Sequence, residues 1–209
     1  MSRALYINSS LPPSVNHYLM HRAIYQNGKP RAMVYETKEA KVYKKNFRLI
    51  VENAVKEQKW EMPVNSTQHF FVDAYYFFDR VDRDASNYEK CMIDAITETG
   101  LIWKDDNVVL YRPQRILYNK NDPHIELIIH PVDYIGIFDN KEEKEKFETK
   151  CKGCTRYKRN CSELKSAILG KVTGNVDIDG CVCSKFRPAD DKNSLIPTGK
   201  PVGLFSNPE

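Results

Sequence analysis

The chemically informative stretch of this chain is Phe77 to Leu110, which carries Asp79, Asp82, Asp84, Asn87, Lys90, Asp94, Asp105 and Asp106. A helix beginning near Asn87 sets Asn87, Lys90 and Asp94 within roughly 60° of one another on one polar face, while Tyr88, Met92, Ala95 and Ile96 turn to the core. From Asn87 to Thr99 such a helix is about 20 Å long. The run from Gly100 to Asp106 stretches about 20–25 Å, so Asp106 can return to the start of the helix beside Asp84. Carboxylates gathered there make a hard-oxygen site of the kind Mg²⁺ uses, one that keeps water in its shell and takes phosphate oxygens from a substrate. Phosphodiester cleavage is the chemistry such a site serves, with Lys90 placed to steady the phosphate or help deprotonate water. Residue types alone leave a plainer alternative open, that these acids are solvated caps at strand ends and helix starts.

A second set of reactive side chains lies further along. Cys151, Cys154, Cys161, Cys181 and Cys183 read C-x2-C-x6-C-x19-C-x-C. The first pair encloses Gly153 and has the tight spacing of thiolate metal sites. Four of the five can hold a structural Zn²⁺, which would supply much of the stability of a module too short to fold on apolar burial alone. An Fe–S cluster or unliganded thiols are the alternatives. The basic neighbours Lys152, Arg156, Lys158, Arg159, Lys165, Lys171, Lys185 and Arg187, with Tyr157 and Phe186, fit either DNA contact or protein docking. Cys91, in mid-helix, reads as a small core residue.

The elements that must position these groups are partly readable. Leu5-Tyr6-Ile7 is a short strand, followed by a Pro12-Pro13-Ser14 turn and an irregular stretch through Arg31. Thr37 caps a helix over Lys38 to Glu57, with Ala40, Tyr43, Phe47, Ile50 and Ala54 at helical spacing. Its other face shows Lys41, Lys44, Lys45 and Arg48, as a solvated face or as phosphate contacts. Gln68 to Phe78 is a strand, and a second helix from Asp84 or Ser86 stops at Gly100. Val108 to Leu110 and Ile125 to Ile129 are two more strands. The expected class is α/β or α+β, a small mixed sheet with two main helices and a cysteine-rich appendage. The boundaries predicted are a domain over 1–137, a charged linker or solvated helix over 138–150, a cysteine module over 151–187 and a flexible tail over 188–209.

Charge is segregated along the chain. Residues 1–72 carry 11 Lys/Arg against 5 Asp/Glu, and residues 73–137 carry 7 against 12. A basic part beside an acidic part suits a protein that holds a polyanion with one and cations with the other. No apolar run is long enough to span a membrane, and Met1-Ser2-Arg3-Ala4-Leu5-Tyr6 lacks a secretory signal. A cytoplasmic protein with reduced cysteines is expected.

Taken in order, Pro12-Pro13-Ser14-Val15-Asn16, Asp84, Asn87, Lys90, Asp94-Ala95, Gly100 and Asp105-Asp106 resemble the pattern of the RusA family of Holliday-junction resolvases. That pattern is a Pro-Pro-Ser-x-Asn turn, a basic helix, a strand leading into D-x-D-N-x-x-K-x-x-x-D-A, a glycine and a short apolar run ending in D-D. The resemblance spans about residues 5–130. It implies a small homodimer that cuts four-way DNA junctions symmetrically with Mg²⁺. It places Asp84 and Asp106 at two metal-binding carboxylates and Lys90 at a functionally important lysine. Asn87 would position the helix start, and Lys41, Lys44, Lys45, Arg48 and Arg83 would contact the DNA arms. One position departs from the pattern: Ser86 stands where the family has a second Asp. Asp82 would compensate if 82, 84 and 86 share a strand face. Otherwise the metal has fewer protein ligands, or the chain is a non-catalytic DNA-binding or partner-recruiting protein.

Overall fold

A computed structural model describes residues 4–63, 68–157 and 161–189. The chain divides into two compact units, Met1–Val132 and Asp133–Glu209. In chain order the first unit contains β1 (Leu5–Ser10), α1 (Val15–Tyr18), β2 (Leu19–Gln26), β3 (Lys29–Glu36), α2 (Lys38–Glu57), β4 (Phe70–Phe78), α3 (Glu89–Thr97), β5 (Val109–Tyr118) and β6 (His124–Pro131).

The aromatic and β-branched run of β4 organises this unit. Its residues alternate strictly between buried and half-buried, the mark of a strand with one face on the core. It pairs antiparallel with β6 and parallel with β5, and β6 pairs antiparallel with β1. The mixed sheet has the order β1-β6-β4-β5. Phe70, Val72, Ala74, Tyr76 and Phe78 meet Ile125, Leu127 and Ile129 of β6 and Leu5 and Ile7 of β1 in one core with Phe47, Val51, Met92 and Ile96 of the helices. The opposite face carries Phe71, Asp73, Tyr75 and Phe77, all half-buried. There Arg112 holds Asp73 through two bonds of 2.6 and 2.7 Å and lies 3.5 Å from the centre of the Phe71 ring.

The helix expected over Lys38 to Glu57 is present over those residues. Thr37 accepts from the Ala40 amide at 3.1 Å and closes its first turn. Its fully buried row is Ala40, Phe47 and Val51, and Ile50 is only partly covered. The expected strands are all found, with β5 running far beyond the predicted Val108 to Leu110. The stretch through Arg31, read as irregular, contains β2 and the start of β3, an eight-pair antiparallel ribbon. Asn27 and Gly28 at its tip have φ of 54° and 74°, so both occupy the left-handed region that two-residue hairpin loops require. The second helix starts later than expected, at Glu89, after a separate 3₁₀ turn over Ala85–Asn87.

The second unit contains α4 (Lys141–Cys151), α5 (Ser162–Ile168), β7 (Val176–Asp177) and β8 (Val182–Cys183). Most of the charged 138–150 segment is helical. Asn140 caps α4 by accepting from the Glu143 amide at 2.8 Å, and Phe147 packs on Phe138 with ring centres 5.5 Å apart. The buried cluster is small: Phe138, Phe147, Ala167 and Cys181. Gly136 has φ of 61°, and a Cβ there would sit 2.0 Å from the Ala167 carbonyl oxygen, so this position admits only glycine. Residues 190–209, which hold most of the tail expected to be flexible, and Lys158 and Arg159 lie outside the described residues. No described helix is long and apolar enough to cross a membrane.

Candidate acidic cleft

The parallel pairing of β4 with β5 decides where the acidic residues go. Phe70, at the start of β4, pairs with Val109, at the start of β5. The chain must therefore run back along α3 before it enters β5, and the 3₁₀ turn Asp106–Val108 ends that return. Asp105 caps this turn through the Asn107 amide at 3.0 Å. Asp106 follows, exposed; its carbonyl accepts from the Val109 amide, and its side chain makes no hydrogen bond or ion pair among the described residues.

Asp106 opens onto a cleft of about 340 Å³ shared with Asp105, Lys104, Asp94, Thr97, Glu98, Glu36, Lys44 and Tyr18. Five carboxylates there face two ammonium groups. Beneath them lies a connected polar network. Tyr18 donates to Asp94 at 2.6 Å, Lys44 donates to Glu36 at 2.8 Å and pairs with Glu98, and Arg48 reaches Glu98 at 3.1 Å. Lys90 donates to Asp94 at 3.0 Å, one helical turn apart on α3. Lys44 holds the Glu36 carboxyl below its usual range. Burial pulls the Lys44 ammonium down, but Glu36 and Glu98 outweigh it and the net shift is upward. Burial and the hydrogen bond to Asp94 push the Tyr18 hydroxyl well above its ordinary value, so it stays a donor.

Several expected site residues stand elsewhere. Asp84 does not line this cleft. It caps the 3₁₀ turn Ala85–Asn87, and its Oδ1 accepts both the Ser86 amide at 3.0 Å and the Ser86 hydroxyl at 2.9 Å. The strand face that Asp82, Asp84 and Ser86 were expected to share does not exist, because β4 ends at Phe78. Asp82 lies in the following turn, exposed, and pairs with Arg80 at 2.8 Å. Asn87 closes the 3₁₀ turn through its backbone, and no side chain caps α3.

Of the expected DNA contacts, Lys41 and Lys45 are exposed, whereas Lys44 is buried. Lys44 belongs to the internal network because positions 40, 44, 47 and 51 form one row of α2, the row that enters the core. That spacing was available in the sequence. Arg83 is held by Asp79 at 2.9 Å and by Tyr88 at 2.7 Å. Tyr18, Glu36 and Glu98 carried no local signal, since each reaches the cleft through contacts distant in the chain.

The donor set suits a divalent cation in kind. No three His, Cys, Asp or Glu side chains among the described residues are arranged to hold a metal ion. Oxygen donors that offer one or two carboxylates fit a hydrated hard cation completed by substrate phosphate, rather than a dry protein cage.

Comparison with known proteins gives the class. Residues 11–130, more than half of the chain, match the family of endodeoxyribonuclease RusA, and the chain belongs to that family. Among its relatives is the crossover junction endodeoxyribonuclease RusA of Escherichia coli, 30% identical over 118 residues that cover 56% of this chain and 87% of the relative. The protein of the same description from Shigella sonnei shows the same identity and coverage.

Proposed function

We propose that the chain is an Mg²⁺-dependent endodeoxyribonuclease that cuts branched DNA, four-way junctions above all, in recombination and repair. The observation that carries this reading is the exposed Asp106 at an acidic cleft inside the region that matches the family. Asp106 at the cleft would hold Mg²⁺ with water completing the shell, and Asp84, which lies outside the cleft lining, is the second ligand that the family resemblance implies. The ion would lower the pKa of the attacking water and neutralise charge building on the phosphate. Lys90, held by Asp94 at 3.0 Å, would meet a non-bridging phosphate oxygen. Tyr18 and Lys44 fix Asp94, Glu36 and Glu98, so that the cleft keeps its shape while substrate enters. Lys41, Lys45 and Arg48 on α2 would contact the DNA arms. A homodimer is part of the proposal, supported by the partly exposed aromatic residues Phe71, Tyr75 and Phe77 on the second sheet face. The second unit is read as an accessory module folded around Zn²⁺ by four of Cys151, Cys154, Cys161, Cys181 and Cys183. The C-x2-C-x6-C-x19-C-x-C spacing supports it, although the described cysteines are not arranged as a three-donor metal group.

A second reading has its own support. Ser86 replaces a carboxylate and occupies Oδ1 of Asp84 twice over. A chain so altered would bind junctions without cutting them. The test is cleavage of a synthetic four-way junction with and without Mg²⁺, comparing wild type with Asp84→Asn and Asp106→Asn. Symmetric nicks that need the metal and both carboxylates establish the nuclease. Tight binding with no nicks in Mg²⁺ or Mn²⁺ establishes the binding protein and overturns the favoured reading.

A further inference from the structure

We propose that the β2–β3 hairpin is a DNA-gripping arm, laid along a duplex arm of the substrate next to the acidic cleft. This rests on the reading of the first unit as a DNA endonuclease. The hairpin is two-stranded and carries no third strand. Tyr25 is 79% exposed at its tip, and Met20 and Val34 along its length are half-exposed. A lone two-stranded ribbon is marginally stable in water and gains from a partner.

Its charge names that partner. The chain has no Asp or Glu before Glu36. Cross-strand pairs share a face, so the register Arg22↔Met33, Ile24↔Arg31 and Gln26↔Lys29 sets Arg22, Arg31 and Lys29 on one side of the ribbon, at successive two-residue steps. All three are exposed, and none makes an ion pair among the described residues. Unpaired cations with aromatic and methionine neighbours form a surface for a polyanion. Eight residues of strand span about 26 Å, and a two-stranded ribbon fits the major groove of duplex DNA.

The root of the arm is fixed to the cleft. Tyr18, just before β2, donates to Asp94, and Glu36, the last residue of β3, accepts from Lys44. Thr37 closes the base through the Tyr18 carbonyl at 3.0 Å and the His17 carbonyl at 2.6 Å. An arm held so would align its duplex with the carboxylates that face the phosphate to be cut.

The experiment measures binding of the full chain to a labelled four-way junction and to linear duplex across a salt series, with Ca²⁺ in place of Mg²⁺. The triple variant Arg22→Ala, Lys29→Ala, Arg31→Ala is compared with wild type and with Arg22→Lys, Arg31→Lys. The triple variant is expected to weaken binding at least tenfold near 0.1 M salt and to lower the slope of log K against log salt by about 2–3. The lysine variant is expected to keep most of the slope. Wild-type binding with an unchanged slope in the triple variant overturns the arm alone. If the triple variant instead changes the sedimentation of the free protein and leaves the slope unchanged, the arm contacts a second copy and the proposal fails. A wild type that binds no DNA overturns both the arm and the endonuclease reading. A wild type that prefers duplex to junction, with the slope lowered in the variant, keeps the arm and removes the junction preference.

Discussion

The two units of this chain bury cores of very different size. Among the described residues, the first buries a continuous cluster that runs from Leu5 to Ile129 through both main helices. Among its described residues the second buries Phe138, Phe147, Ala167 and Cys181, with Ile137, Leu164, Ile168 and Ile178 packed partly buried against them. Burial of that extent is small against the ordering cost of the residues around it, whereas the first unit carries a large core of its own. The difference teaches where each unit can tolerate chemistry. The first can place unpaired carboxylates and exposed cations on a rigid body. In the reading proposed above, the second would commit its cysteines to a metal that stabilises it.

That contrast can be broken most forcefully by removing metal. If four of the cysteines hold zinc as proposed, a strong chelator is expected to unfold the second unit and leave the first intact, since structural zinc contributes on the order of 10 kcal/mol to small modules. Hydrogen exchange resolved by peptide checks this. Equal protection in both units before and after chelation would show that the small core suffices. Next in size is Phe47→Ala, which empties the centre of the first core and should cost about 3–5 kcal/mol, read as a lower urea midpoint for that unit. Asp106→Asn is expected to reduce junction cleavage at least about 100-fold, which is about 2.7 kcal/mol of barrier, with no change in melting temperature. A loss of stability instead would make Asp106 a structural residue.

The smallest effect belongs to the network under the cleft. Glu36→Gln should cost roughly 1–3 kcal/mol, because it leaves the buried Lys44 short of one charged partner. The pH dependence follows from the direction of the shift. The Glu36 carboxyl titrates below its ordinary 4.5 in the folded state. Its contribution is therefore present above about pH 4.5 and is lost as pH falls through the folded value. Denaturation followed from pH 7 to pH 3 should show the first unit weakening over that lower range in wild type, and less so in the variant.

How much of this was legible in the sequence depends on how local each signal is. α2 was readable because Thr37 and the row of apolar residues behind it lie within one helix. The hairpin was not, because its strands face solvent on both sides and lack apolar alternation, although Asn27-Gly28 is a strong turn signal. The cleft was half readable. Asp106 and the Lys90–Asp94 pair were found from spacing, but Tyr18, Glu36 and Glu98 join them only through long-range packing. The supposed common face of Asp82, Asp84 and Ser86 failed because strand periodicity was extended past Phe78, where the strand stops.

The position of β1 has a consequence for synthesis. β1 pairs along its whole length with β6, Leu5 against Ile129 and Ser10 against His124. As the chain emerges from the ribosome, its first strand has no partner until nearly the last residues of the unit have been made. The parallel pair β4 and β5 must likewise wait for α3 to be threaded between them. Contacts so far apart in sequence make for slow folding. During that wait the aromatic strand Phe70–Phe78 stands open to other chains, so yield in a cell should depend on holdase chaperones more than the finished unit's stability would indicate.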